Sequence, residues 1–346
     1  MKQALLILIP VIILGVLTNA LSPILLPFIM AIAIAYLTNP IAEKLVKWKI
    51  NRTVAAIIPS VFFIITFMLI TVFVLPSLIE DALAFSHKVP AYLKQLETTV
   101  LPTIEQKIQP FVQVERQELL DFLYSYGDHA AMVILTIFRK IASSTAAFFD
   151  VITLLFITPV VMFYLIRDWP HAVKSFEKIL PKKYKKGTLK TLDEMDKALS
   201  TFLRGQFNVS LVIGIFYGCG LWLTGLEMGF VIGLLTGLFS FIPYIGMLIG
   251  CITAFAVAII QFQLGDTTPY IYIAIVFILG QVIESMILQP KLIGDKTGLH
   301  PVWVIFALMA GGQLGGFLGI LIALPLATIM VVLVPKALAA WQKSVA

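Results

Sequence analysis

The chain has 346 residues, 60% of them hydrophobic and only 13% charged, with 25 Phe and a net charge of +6. Soluble domains run at about 45–50% apolar and about 25% charged, so this composition cannot supply a water-facing surface. A mean hydropathy of +0.98 excludes a soluble enzyme, a disordered chain and a disulfide scaffold. What remains is an all-α polytopic membrane protein, with apolar stock for about eight helices of ~20 residues.

The first two spans are expected at roughly 4–21 and 24–38, joined by a short break at Ser22-Pro23. Pro10 and Pro27 fit a helical hairpin, because neighbouring helices can satisfy the carbonyls that proline frees. A secretory signal peptide is the rival reading of residues 1–20. Against it, the n-region would hold only Lys2, no A-x-A site follows, and a second apolar run comes at once. A third span, roughly 54–76, completes an N-terminal transmembrane region over 1–79.

The polar interval 80–145 is cut by Pro90, Pro102 and Pro110. Leu93, Leu96 and Val100, then Leu119, Leu120 and Leu123, recur at helical spacing and predict extracytoplasmic amphipathic helices. A fourth span is expected at 146–166, followed by a basic cytoplasmic helical loop over 167–206. The remainder, 207–346, reads as a C-terminal transmembrane domain with spans near 207–225 and 270–289. It also holds two overlong runs broken by Gly and Pro, 228–262 and 302–334. As continuous helices these would extend about 50 Å, against a hydrocarbon core of ~30 Å.

Positive charge sets the orientation. With a cytoplasmic N-terminus, 17 Lys/Arg fall inside, including ten in the 167–206 loop, and eight fall outside. The 80–145 interval has a net charge of −2. This predicts a multi-pass protein of the bacterial inner membrane with both termini in the cytoplasm. The lysines over 182–190 are read as a contact with the anionic inner leaflet rather than with nucleic acid. The oligomeric state stays open, a homo-oligomer included.

No cofactor or metal pattern is present. His87, His129 and His171 lack a second ligand at metal spacing and read as solvated helix faces. Cys219 and Cys251 lie in apolar runs and read as small buried hydrophobes. There is no phosphate-binding loop, no H-E-x-x-H and no nucleophile elbow, so no catalytic residue is assigned.

The informative residues lie in the broken runs. The run 228–262 holds Gly229, Gly233 and Gly237, then Pro243, Tyr244 and Gly246; the run 302–334 holds Gly311, Gly312, Gln313, Gly315, Gly316 and Gly319. Irregular backbone at membrane depth survives only where it is buried or lines a wet cavity, and paired broken segments point to a transport site. The plainer alternative is that these glycines permit tight packing or mark the bends of helical hairpins. Glu284 is the carboxylate placed within a span near these segments, one turn after Gln281, with Lys291 and Lys296 as candidate partners. A carboxylate there is costly unless it is used or paired. His300 could serve a pH-sensitive gate or simply end an element before Pro301.

The ordered set is specific. Arg204-Gly205-Gln206, Phe241-Ile242-Pro243-Tyr244-Ile245-Gly246, Gln281-x-x-Glu284, Gln289-Pro290, Gly298-Leu299-His300-Pro301, the Gly311–Gly319 cluster and Ala323-Leu324-Pro325 follow one another. This series strongly resembles the autoinducer-2 exporter family of bacterial integral membrane permeases, tightly over about 200–330. The resemblance implies an eight-helix exporter of a small polar solute such as a quorum-sensing signal, coupled to protons or sodium. A sodium/proton antiporter and a non-transporting membrane scaffold are the alternatives. In the transporter reading Glu284 couples or gates, Gln281, Gln313 and His300 assist, and the backbone at Pro243–Gly246 and Gly311–Gly316 lines the pathway.

Overall fold

The computed structural model describes residues 22–95, 145–262, 266–293 and 301–345, and every regular element among them is helical. The expected first span, most of the 80–145 interval with His129, and the segment holding Lys296 and His300 lie outside the described residues. Helix α1 (Ser22–Lys47) carries Pro23 in its first turn, where proline's missing N–H is no loss. The side chain of Asn51 accepts a hydrogen bond from Val54 N at 2.8 Å and caps α2 (Arg52–Leu69). A π-helical stretch, Ile70–Val74, leads into α3 (Leu75–Gln95).

The next two helices outrun their apolar segments. Helix α4 (Thr145–Ile179) continues past the expected span, and α5 (Lys182–Leu223) runs 42 residues from a lysine-rich start into an apolar end. Lys, Glu and Leu are good helix formers, so nothing stops the helix at the polar-to-apolar transition. Helices α6 (Gly229–Phe239), α7 (Ile245–Phe262) and α8 (Thr268–Val282) follow, then a second π segment, Ile283–Leu288, a single turn α9 (Gln289–Leu292) and α10 (Pro301–Val345). Asp266 accepts a hydrogen bond from Thr268 N at 2.9 Å at the start of α8, which holds its carboxyl below the usual carboxylate range.

Among the described residues, 6 helices are long and apolar enough to cross a membrane, and Gly229–Phe239 and Ile245–Ile259 are shorter apolar helices. Large apolar side chains point outward along them; Phe62, Phe73 and Leu223 are 64%, 68% and 76% exposed. In water so much exposed apolar surface would drive association. In a bilayer it is the lipid-facing surface. The protein is an all-α, multi-pass membrane protein.

The chain divides into two compact units. The first comprises Met1–Phe67, Val151–Gln206 and Pro290–Ala346. Its core is built on small residues: Ala31, Ala35 and Ala42 of α1 meet Ala55 and Ala56 of α2 and Met162 and Ile166 of α4. Alanine lets helix backbones approach closely where lipid offers no hydrophobic drive. The second unit comprises Met68–Asp150 and Phe207–Gln289. Its centre is a glycine crossing. A Cβ on Gly237 would lie 2.1 Å from Gly214 Cα, and one on Gly233 would lie 2.1 Å from Gly218 N, so α5 and α6 touch backbone to backbone.

Each unit contains one of the two overlong runs, and each run is broken. In the second unit α6 and α7 form a helical hairpin turning at residues 240–244. A Cβ on Gly246 would meet Ser240 N at 2.3 Å and one on Gly250 would meet Thr236 Oγ1, a register that only an antiparallel return gives. Tyr244, at the turn, adopts the left-handed conformation with φ 70°, which a non-glycine residue holds only under constraint. In the first unit the break in α10 is at Gly316 (φ 57°, ψ −139°). Gly311 and Gly319 would stand ~12 Å apart in a continuous helix. Instead a Cβ on Gly311 would lie 2.4 Å from the carbonyl oxygen of Gly319 and 2.9 Å from Ala323 Cβ. Here too the chain folds back on itself. The first arms, 11 residues in α6 and ~22 Å of helix over 301–315, are both shorter than the ~30 Å hydrocarbon core.

Candidate functional site

Glu284 is 4% exposed and lies in the second π segment. Single-turn π insertions widen a helix, expose backbone groups and recur at functional sites. Its carboxylate accepts one long hydrogen bond, 3.4 Å from Gln289 Nε2. Among the described residues of its own unit, no lysine, arginine or histidine forms an ion pair with it. Leaving a carboxylate away from water with so little compensation costs several kcal/mol if it is ionised. Gln281 is half-buried one turn earlier, and its carbonyl oxygen accepts from Ser285 Oγ at 2.7 Å.

Two further groups belong to this neighbourhood. Tyr217 of α5 is fully buried, its ring centroid 5.0 Å from that of Phe277, and its hydroxyl has no hydrogen-bond partner. A Cβ on Gly280 would lie 2.3 Å from Tyr217 Cε1 and 2.7 Å from its hydroxyl oxygen. The phenol therefore rests directly on α8 at Gly280, four residues, or about one helical turn, before Glu284. Ser210, two turns earlier on the same face of α5, has a second buried hydroxyl without a partner. Sequence reasoning missed both. The available signal was a Ser and a Tyr seven residues apart on the glycine face of Gly214 and Gly218 within an apolar run.

The other singled-out positions divide between the units. In the second, Pro243 and Tyr244 form the hairpin turn and Gly246 is buried against Ser240. In the first, Gly311 and Gly319 are the points of close approach, and a Cβ on Gly312 would meet Ile320 at 3.3 Å. A Cβ on Gly315 or Gly316 would have nothing within 4 Å, and Gln313 is exposed beside them. The densest glycine cluster is thus an open turn, with its tight contacts on either side.

Arg204, Gly205 and Gln206 mark the end of the first unit's part of α5. Arg204 Nε donates to the carbonyl oxygen of Tyr36 at 2.9 Å, and Tyr36 Oη donates to Asp196 at 2.8 Å, which ties α5 to α1. A Cβ on Gly205 would lie 2.6 Å from the carbonyl oxygen of Leu292, so the backbone just after exposed Pro290 packs on this glycine. Gln206 is 1% exposed. Pro301 opens α10 and half-buried Pro325 lies inside it. Among the described residues no group of His, Cys, Asp and Glu could hold a metal ion.

A family model described as AI-2E family transporter matches residues 5–339. YueF of Bacillus subtilis (strain 168), named as a transport protein, is 26% identical over 317 residues, covering 88% of this chain and 82% of that protein. PerM of Escherichia coli (strain K12), named as a permease, is 25% identical over 314 residues, covering 89% and 86%. AI-2 transport protein TqsA of the same strain is 24% identical over 312 residues, covering 89% and 85%.

Proposed function

The chain belongs to the AI-2E family of transporters, and from that premise we propose that it is a secondary exporter of a small polar solute in which Glu284 carries the coupling charge. The observation that carries this reading is Glu284 itself: a carboxylate 4% exposed, in a π-widened segment, held by one 3.4 Å hydrogen bond. A packed protein keeps such a group against its desolvation cost when the charge is used. Each hairpin by itself supports this reading, because broken backbone is what secondary transporters use to present backbone groups to a solute at membrane depth. In this reading Pro243, Tyr244 and Gly246, and Gly311 to Gly319, are pathway backbone. Gln281 and Gln313 supply hydrogen bonds to the solute, and His300 serves a pH-sensitive gate.

The solute class, a small polar signal of the AI-2 kind, follows from kinship with a protein named for AI-2 transport. The location is the inner membrane with both ends cytoplasmic, as the lysine and arginine distribution favours, and the lysines over 182–190 meet anionic lipid. The purified full chain in proteoliposomes tests the reading with AI-2, then sodium and protons under imposed gradients. Gradient-driven movement of AI-2 upholds it. Sodium–proton exchange without solute movement replaces it with an antiporter, and no flux under any gradient replaces it with a scaffold.

A further inference from the structure

Glu284 has one hydrogen bond where a carboxyl group can make several, and the Tyr217 hydroxyl, which rests on Gly280 four residues before Glu284, has none. In this conformation neither group meets water, since both residues are buried; Glu284 exchanges its proton with water only when the pathway opens to it. Buried hydroxyls without a partner are rare, and each calls for an explanation. The phenol is also fixed: Phe277 packs on its ring and Gly280 lies beneath it with no side chain to hold it off. Replacing the glycine's hydrogen by a methyl would fill the space the hydroxyl occupies. What can move is the Glu284 side chain, which reaches Gln289 only at 3.4 Å.

We propose that Tyr217 is the second hydrogen-bond partner of Glu284, taken when the carboxyl group carries a proton and left for Gln289 when it does not. An ionised carboxylate only accepts, and the Gln289 amide N–H donates to it. A protonated carboxyl gains an O–H donor, which the Nε2 group of Gln289 cannot accept but the Tyr217 oxygen can. The proton comes from water in the pathway, resides on Glu284, and returns to water; the phenol keeps its own proton throughout. Among the described residues, Cys251 of α7 also acts electrostatically on Tyr217. The ligand of this pair is a proton rather than a metal cation. The unpartnered hydroxyl of Ser210 is ~10 Å further along α5, too distant to help complete the oxygen shell that a hard cation needs.

This inference rests on Glu284 being the coupling group, but its test does not depend on flux. Infrared difference spectra between acidic and alkaline pH are recorded on the full chain in liposomes. The expected result is a protonated-carboxyl band that Glu284→Gln removes and Tyr217→Phe moves to higher wavenumber, because the acid has lost its acceptor. A band at the same position in Tyr217→Phe, or no titrating carboxyl band that Glu284→Gln removes, overturns the pairing. If Glu284→Gln is not recovered folded, Glu284→Asp serves instead. Its band should be displaced from that of the unsubstituted chain and should no longer respond to Tyr217→Phe; a band that responds equally overturns the pairing. Loss of the pairing with Glu284-dependent flux intact would leave the transport reading standing. An intact pairing with flux indifferent to Glu284 would remove that reading and keep the pair.

Discussion

Gly319→Ala tests whether α10 is a hairpin. In the folded chain the new methyl would sit 1.9 Å from the carbonyl oxygen of Gly311 and 2.7 Å from its carbonyl carbon. Both are backbone atoms, so no side-chain rotation relieves the contact and the two arms must separate. Forcing an extra methyl into a packed site costs typically about 1–3 kcal/mol, while alanine's helix preference returns about 1 kcal/mol. The difference is a net loss of about 0–2 kcal/mol, and the closeness of the backbone contact places Gly319→Ala at the upper end. Gly315→Ala is the matched control, because nothing lies within 4 Å of its added methyl; it should stay within about 1 kcal/mol of the unsubstituted protein. Thermal unfolding in detergent, followed by monodispersity, ranks the two variants. A continuous helix predicts equal melting for both, and that result would refute the hairpin.

Much of this architecture was legible because apolar run length and proline–glycine punctuation are written in composition. The breaks at Pro243–Gly246 and around Gly311–Gly319 follow from residues that cannot sit quietly in a helix. Glu284 stood out because carboxylates within spans are rare. Other features have no compositional mark. A π segment such as Ile70–Val74 or Ile283–Leu288 is a shift of hydrogen-bond register, and the same residue types would serve an α-helix. The continuity of α5 across its charged and apolar halves was hidden because hydropathy reports environment, not helix ends. Which glycines touch was hidden as well: Gly315 lies in the densest cluster yet meets open space, whereas isolated Gly280 seats a buried phenol. Such contacts depend on which helices cross, information that one strand of sequence does not contain.

Further outcomes follow from the same geometry. Gly205→Ala places a methyl 2.6 Å from a backbone oxygen of Leu292 and should lower the melting temperature, whereas Gly187→Ala, with nothing within 4 Å, should not. On a cysteine-free background, Lys107→Cys should react with an impermeant thiol reagent from outside and Lys185→Cys only after permeabilisation; the reverse at both sites would invert the topology. The Asp266 carboxyl is held below the usual range by its bond from Thr268 N. Its capping contribution is therefore complete above the unfolded carboxylate pKa of about 3.9 and is lost as pH falls through the lower, folded value. Asp266→Ala should remove that acid limb from a plot of melting temperature against pH.

The most direct test of the central claim is gradient-driven flux per folded molecule for Glu284→Gln, measured in proteoliposomes at several pH values. The amide keeps the size and hydrogen-bonding capacity of the side chain but cannot titrate. The account predicts a variant that inserts and folds, loses gradient-driven flux, and retains solute exchange at zero gradient with no pH dependence. Flux and pH profile equal to those of the unsubstituted protein would contradict it and take Glu284 out of the mechanism.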